Sequence, residues 1–187
     1  RLRHQGADRM RDRGGRGSER LRAHLAHHIA ELNDQVGNGA FRLALVGDGP
    51  CRSELEARRA QLELHHHVEF AGAVEHAQVL AWWQRASIAV LSSHSEGMPV
   101  CLMEAAACAV PAVATAVGGI PELVEHGVTG LLVPPGDAGA FADALQSLME
   151  QRGQAASMGR AARRRMEQHF SLRRQIDSLL GLWAEML

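Results

Sequence analysis

From Phe41 onward, short apolar runs alternate with helical stretches, and glycine or proline stands at the close of most runs. Phe41–Val46 (FRLALV), His67–Ala71 (HVEFA), Ser87–Leu91 (SIAVL), Pro111–Thr115 and Gly130–Val133 read as strands. Ser53–Leu64, Glu75–Ala86, Pro99–Ala109 and a short segment opened by Ile120-Pro121-Glu122 read as the helices between them. Asp137, after Pro134-Pro135-Gly136, is placed to cap a helix reaching about Glu150, and two more helices follow near Ala155–Gln168 and Ser171–Met186. Short strands separated by helices cannot pair as hairpins. They form βαβ units and a parallel sheet buried on both faces. The expected fold class is therefore α/β, a Rossmann-like parallel sheet with helices on both faces. Ligands of such sheets sit outside the carboxyl ends of the strands, where loops enter helices.

The flanks are less regular. Gly14-Gly15 and Gly17 break any long helix among eight arginines between Arg1 and Arg22, while Leu21, Leu25, Ile29 and Leu32 recur at helical spacing. Residues 7–18 read as a solvated loop rather than a nucleic-acid arm, and a contact with an anionic membrane surface stays open. The last helix carries Leu172, Ile176, Leu179, Leu180, Trp183 and Leu187 on one face. Packing on its own domain is the favoured reading, with docking to a neighbouring domain as the alternative.

Composition narrows the function classes. A net charge of -1 gives no general case for nucleic acid or membrane binding, although an acidic middle lies between arginine-rich ends. All 20 basic residues are arginine, which fits GC-rich coding and matters only where a mechanism wants lysine. The most apolar stretch, Ala105–Ile120, is broken by Pro111 and Gly118-Gly119 and does not read as a membrane span. Cys101 and Cys108 stand two helical turns apart, roughly 10 Å, too far to bridge, so the three cysteines fit buried thiols in a reducing compartment. No signal-peptide pattern opens the chain, and an initial arginine is the expectation for a fragment.

The chemistry concentrates in Ser92–Glu104 (SSHSEGMPVCLME). Gly97–Cys101 lead into a helix whose first amides lack intrahelical partners, and with the helix dipole they make an anion site suited to a phosphate. Glycine at 97 lets a ligand approach the backbone. Glu104 lies about five residues past Pro99, roughly 7–8 Å along the axis, where its carboxylate can accept from a ribose diol. Glu96 would face whatever projects beyond the phosphates. Acids flanking an anion-binding helix start suggest a sugar nucleotide rather than a metal-bound triphosphate.

Downstream, this stretch runs into Pro111-Ala-Val-Ala-Thr-Ala-Val-Gly-Gly-Ile-Pro-Glu122 and Glu125-His-Gly-Val-Thr-Gly-Leu-Leu-Val-Pro-Pro-Gly-Asp137. The E-G-x-P-x-x-x-x-E signature, G-G-I-P-E, G-V-T-G-L-L-V-P-P-G-D and the upstream V-G-D-G-P occur in one order. From Arg42 to about Phe170 the chain resembles the carboxy-terminal, donor-binding half of retaining glycosyltransferases of the GT-B architecture, the large family 4 type. The resemblance implies that Glu104 holds the nucleotide ribose hydroxyls and that Glu96 is the catalytic carboxylate beside the reacting carbon of the donor sugar. It implies that Gly97, Met98, Pro99, Val100 and Cys101 meet sugar and diphosphate through backbone, and that Gly72, Ala73 and Val74 line the base pocket. Gly47-Asp48-Gly49 is similar to the turn beside the nucleoside, though a structural turn explains it as well.

The departures are equally specific. The family's G-R-L-x-x-x-K-G loop would correspond to Arg1-Leu2-Arg3-His4-Gln5-Gly6, with Arg1 as the diphosphate arginine and the lysine missing or replaced by Arg3 or His4. Arginine is no drop-in substitute for that lysine. The strand before this loop would lie upstream of residue 1, so that the sheet lacks an edge or an inner strand. The acceptor-binding half would be absent too. The resulting division is 1–40, a phosphate-loop remnant with an arginine-rich helical segment; 41–170, a nucleotide-sugar-binding Rossmann-like domain; and 171–187, an amphipathic helix. The expected substrate is a nucleotide-diphosphate sugar, the missing partner an N-terminal acceptor-binding domain, and no cofactor or nucleic acid is called for. The expected setting is cytoplasmic, with peripheral membrane contact open. A degenerate nucleotide-binding or scaffold domain and, less so, a sugar-nucleotide epimerase are the alternatives. His65-His66-His67 points its rings in different directions and argues no metal site. Arg163-Arg164-Arg165 reads as a solvated helix face, Glu122 as a carboxylate at a helix start, and Gly118-Gly119 as a tight turn.

Overall fold

The computed structural model describes residues 41–185. Five strands, β1 (Leu43–Val46), β2 (Val68–Gly72), β3 (Ala89–Leu91), β4 (Ala112–Thr115) and β5 (Gly130–Val133), alternate there with helices. These are α1 (Arg52–Gln61), α2 (His76–Arg85), α3 (Val100–Ala107), α4 (Ile120–Leu123), α5 (Ala138–Glu150), α6 (Arg152–His169) and α7 (Leu172–Glu185). Arg1, the loop around it and the arginine-rich segment of residues 1–40 lie outside the described residues.

The α/β class is as expected, and the ladders within the sheets are parallel. The single expected sheet is divided. Among the described residues β1 pairs only with β2, while β3, β4 and β5 form a second sheet in that order. Among the described residues no ladder joins β1 to β3.

β4 shows why both faces must be covered. All four of its residues are buried, and successive side chains point to opposite faces. Ala112 and Ala114 enter a core with Leu102, Ala105 and Ala106 of α3 and Ala162 and Met166 of α6. Val113 enters another, with Phe141, Leu145 and Leu148 of α5 and Ala155 and Met158 of α6. Small residues on one side let α3 and α6 approach closely. At Gly159 of α6 a Cβ would collide with the carbonyl of Ala109, so only glycine fits that crossing.

Helix boundaries refine the sequence reading. Pro99 is the N-cap of α3 rather than its first helical residue, with φ -72° and ψ 110°. α6 starts at Arg152, three residues before the expected Ala155. Asp137 caps α5 as expected, its Oδ1 accepting the Ala140 amide at 2.9 Å. Asp137→Ala is expected to destabilise the protein by about 1 kcal/mol. That lowers the thermal midpoint by roughly 2–4 °C in circular dichroism; Asn at the same position should recover most of it.

α7 corrects the favoured reading of the last helix. Leu172, Ile176, Leu179, Leu180 and Trp183 are all exposed, Leu172 by 72%. The apolar face does not pack on the described residues of its own domain.

Candidate functional site

The segment after β3 is held from below by β4. Thr115, fully buried at the end of β4, donates its hydroxyl to the Ser93 carbonyl at 2.5 Å. Ser93 in turn donates its hydroxyl to Glu96 Oε1 at 2.6 Å. The Glu96 carboxylate is therefore tied to the strand end rather than loose in solvent, and it is half-buried.

Two glycines from the next strand–helix connection brace the same loop. The Gly119 amide donates to the Gly97 carbonyl at 2.8 Å. Gly118 has φ +53°, and a Cβ there would run into the Glu96 carbonyl oxygen. A Cβ on Gly119 would meet the Gly97 carbonyl oxygen at 2.5 Å. The pair does more than turn the chain: its lack of side chains lets the β4–α4 connection lie directly against the backbone of Glu96 and Gly97.

The mouth of α3 follows. Pro99 is buried and supplies no amide, and no side chain caps the helix. The Leu102 and Met103 amides turn back to the Pro99 carbonyl at 3.1 and 3.4 Å. The Val100 and Cys101 amides precede the helical ladder and stand at its open end. Gly97, Met98 and Val100 around that rim are exposed. Uncapped amides at the positive end of a helix are what an oxyanion seeks.

Glu104 stands one turn further along α3. Trp83 of α2 donates its indole N–H to Glu104 Oε2 at 3.4 Å, and His76 Nδ1 of the same helix lies 3.6 Å from Oε1. The carboxylate side chain remains 25% exposed. It is oriented by the indole and keeps acceptor capacity, since an ionised carboxylate takes about four hydrogen bonds. Neither Trp83 nor His76 was singled out from the sequence as a site residue. The pairing spans 21 positions from Trp83 and is visible only once α2 lies across α3.

Cys101 reports the electrostatics between the two acids. Burial, then the Glu96 charge and more weakly Glu104, push its thiol above the ordinary cysteine value. A thiolate there would be desolvated beside two anions, so Cys101 is an inert lining residue and not a nucleophile. Iodoacetamide at pH 8 should label it more slowly than a free cysteine, with the gap closing as pH rises. Glu96→Gln removes one of the two anions, lowers the thiol back toward its ordinary range and should speed the labelling. Unchanged labelling in Glu96→Gln would separate the two groups. Cys108 is shifted up as well, mainly by burial.

The turns after β1 and β2 meet each other. The Gly47 amide donates to the Gly72 carbonyl at 2.8 Å, and both glycines have positive φ, +123° and +72°. Asp48 closes its own turn, with Oδ1 accepting the Gly49 amide at 2.8 Å. Arg52 spans from Asp48 to Glu56 and lies over the Phe70 ring. Gly72 is buried, Ala73 exposed and Val74 half-buried, and they pass directly into α2, whose His76 and Trp83 reach Glu104. The structure thus links Gly72–Val74 to Glu104 through one helix and places Gly97–Cys101 on the rim beside that carboxylate. Arg1 lies outside the described residues.

Other sequence candidates have structural roles. His67 Nδ1 stands 3.3 Å from the Phe41 carbonyl and its ring stacks tilted on Phe41. Among the described residues no three His, Cys, Asp or Glu side chains converge as a metal site. Arg163 pairs with Glu167 on the helix surface. Arg165 departs from the solvated-face reading: it donates to the Glu122 carbonyl at 2.9 Å and lies 3.5 Å from Glu125, tying α6 to the end of α4. Glu122 sits in the first turn of α4, as expected for a carboxylate at a helix start.

A parallel α/β unit that carries, beyond the carboxyl end of β3, an uncapped helix start between two carboxylates is the class that fold and site define. Residues 19–151 match the family model described as Glycosyl transferases group 1, and the chain belongs to that family. The chain is 38% identical over 148 residues to the exopolysaccharide phosphotransferase SCO2592 of Streptomyces coelicolor, covering 78% of this chain and 15% of that protein. It is 35% identical to the D-rhamnosyltransferase WbpZ of Pseudomonas aeruginosa, covering 81% of this chain and 40% of that one. Anabaena Alr3699/HepE, solved in complex with UDP, superposes with a TM-score of 0.75 at 25% identity, covering 88% of this chain and 44% of that one. The chain thus spans between 15% and 40% of the length of the curated relatives. No helix of the described residues is long and apolar enough to cross a membrane.

Proposed function

We propose that this chain is the carboxy-terminal, donor-binding half of a retaining glycosyltransferase of the GT-B, family 4 type. The enzyme moves a hexose from a nucleotide-diphosphate sugar to an acceptor hydroxyl. The observation that carries the reading is the α3 mouth, uncapped at Val100 and Cys101 and flanked by Glu96 and Glu104. The Glu104 carboxylate accepts from the two ribose hydroxyls. The amides from Gly97 to Cys101 take the diphosphate and sugar oxygens, and the main chain of Gly72, Ala73 and Val74 lines the base. Glu96 lies against the donor sugar. The UDP complex of HepE supports a nucleotide ligand for this fold.

The chemical logic is electrostatic. Breaking the anomeric C–O bond develops negative charge on the departing diphosphate. Preorganised amides at the positive end of a helix stabilise that charge without reorganising. Arg1 is the cation that completes the clamp. The acceptor hydroxyl attacks on the face the leaving group vacates and passes its proton to an oxygen of the departing diphosphate, which gives retention. The nucleotide sugar is the substrate, and transfer needs no cofactor. The acceptor is held by a second, N-terminal domain, so this chain by itself binds the nucleotide with little or no transfer. The enzyme works in the cytoplasm, with a peripheral membrane contact through its basic flanks.

The test has two parts. Calorimetric titration of the chain with UDP, GDP and ADP should show binding by at least one. No heat from any of the three at millimolar concentration contradicts the reading. A radiolabelled-sugar assay on the product of the full reading frame should then show transfer that Glu96→Ala reduces more than it reduces nucleotide affinity. A full-length product that binds nucleotide without turnover would instead make the domain a non-catalytic binding module.

A further inference from the structure

Glu104 has two neighbours on α2, and they hold it unequally. Trp83 is half-buried and packs against the cluster that contains Leu102, Ala105 and Ala106 of α3. That packing fixes the ring, and its one polar atom, the indole N–H, is aimed at Glu104 Oε2 at 3.4 Å. An indole nitrogen can only donate, so the carboxylate oxygen is the kind of partner it requires. His76 lies two helical turns earlier on α2, its Nδ1 3.6 Å from Oε1 and its side chain 87% exposed. That separation is longer than a hydrogen bond. The indole therefore sets where the carboxylate points, and Oε1, beside the exposed imidazole, keeps its capacity for another donor.

The arrangement matters for a ligand that offers two hydroxyls at once. A carboxylate that receives both must present its two oxygens in one orientation. Glutamate is among the side chains that lose most rotamer freedom when ordered. Where that loss falls at the moment of binding it lowers affinity, and where the folded protein has already fixed the group it does not. The core-anchored indole fixes Glu104 ahead of any ligand. Its helix also leaves Gly72–Val74 directly, with the Glu75 amide donating to Gln78 Oε1 at 3.3 Å across the first turn. One helix thus joins the Gly72–Val74 loop to the group that aims Glu104.

We propose that Trp83 is a positioning residue for ribose recognition, its indole N–H holding the Glu104 carboxylate in the orientation that receives a cis-diol. The inference rests on Glu104 as the ribose acceptor, the reading proposed for the site. Trp83 acts through Glu104, so removing its N–H weakens only ligands that carry the two hydroxyls. A residue needed merely for packing would weaken all of them alike.

Trp83→Phe keeps an aromatic ring in the packing and removes the N–H. The probes are whichever of UDP, GDP and ADP binds the wild type most tightly, and the 2′,3′-dideoxy form of the same diphosphate, each titrated by calorimetry. Trp83→Phe should weaken the ribonucleotide by about 3- to 10-fold and the dideoxy form by less than about 2-fold. In a Glu104→Ala background the substitution should change neither, because the group it acts through is gone. Equal losses for the two ligands, or a loss that persists without Glu104, make the indole a packing group and overturn the proposal. Binding that Glu104→Ala weakens and Trp83→Phe spares overturns it alone, leaving the ribose reading intact. No binding of any diphosphate to the wild type removes that reading and the inference together. Should Trp83→Phe fail to fold, NMR of the wild type decides. The Trp83 indole N–H, identified by elimination with Trp82→Phe and Trp183→Phe, should shift on saturation with the ribonucleotide and move far less with the dideoxy form. A resonance that stays still, or that shifts equally with both, contradicts the proposal.

Discussion

Gly118→Ala is expected to destabilise the protein by about 2–6 kcal/mol and to abolish nucleotide binding at concentrations that saturate the wild type. The φ of +53° alone costs a non-glycine residue about 1–3 kcal/mol. The added Cβ then meets the carbonyl oxygen of Glu96, a backbone atom that cannot rotate aside. Relieving the overlap costs a further 1–3 kcal/mol, roughly, by displacing one connection from the other. Folded proteins hold about 5–15 kcal/mol in reserve, so the variant should fold, with a thermal midpoint lower by roughly 5–15 °C. Binding suffers because the displaced atom belongs to Glu96, next to the Gly97 carbonyl that accepts from Gly119. Gly118→Asn separates the two causes. Asparagine tolerates positive φ, so rescue by Asn would mean that dihedral strain dominates. The overlap with a backbone oxygen predicts that Asn fares little better than Ala.

Glu104→Ala should weaken nucleoside diphosphate binding by about 10- to 100-fold while leaving the fold intact. A carboxylate accepting two hydroxyl hydrogen bonds gives up about 1.5–3 kcal/mol when removed. An opposing effect must be weighed, since Glu104 would also repel a diphosphate held one helical turn away. Across partly exposed sites such repulsion is near 1 kcal/mol or less, too small to reverse the sign. Truncation also strips the Trp83 indole of its acceptor, which adds to the loss. Glu104→Gln keeps an acceptor oxygen and drops the charge, so its affinity should fall between wild type and Ala. A ligand lacking the ribose hydroxyls should lose far less than 10-fold on Glu104→Ala, roughly, which ties most of the effect to the diol.

The regular elements were legible because local signals govern them. The alternation of apolar runs and helices places five strands within a few residues of their observed bounds, and Gly130–Val133 agrees at both ends. Asp137 was readable as a cap because the residues that make a cap are consecutive. The Glu96–Glu104 stretch was readable for the same reason: one loop and one helix hold all of it. What the sequence hid is what folding brings from afar. Trp83 orients Glu104 across 21 positions, and Gly118-Gly119 reads as an ordinary turn until the Glu96–Gly97 backbone lies against it. Arg165 looks solvated in a run of three arginines, and only the crossing of α6 over α4 gives it the Glu122 carbonyl. α7 shows the converse failure: amphipathic spacing predicts burial but names no partner, and its apolar face is exposed. The resemblance already implied a sheet lacking an edge or an inner strand, but which strands stand side by side was illegible, since strand order is fixed by crossovers rather than by any strand's own residues.

The central claim is that the α3 mouth holds a diphosphate while Glu104 holds the ribose. Backbone amide NMR during a UDP titration addresses it directly. Progressive, saturable shifts should centre on Gly97, Met98, Val100, Cys101 and Glu104, with smaller ones at Gly72–Val74. A saturable titration whose shifts fall elsewhere and spare the Gly97–Cys101 amides would contradict the account.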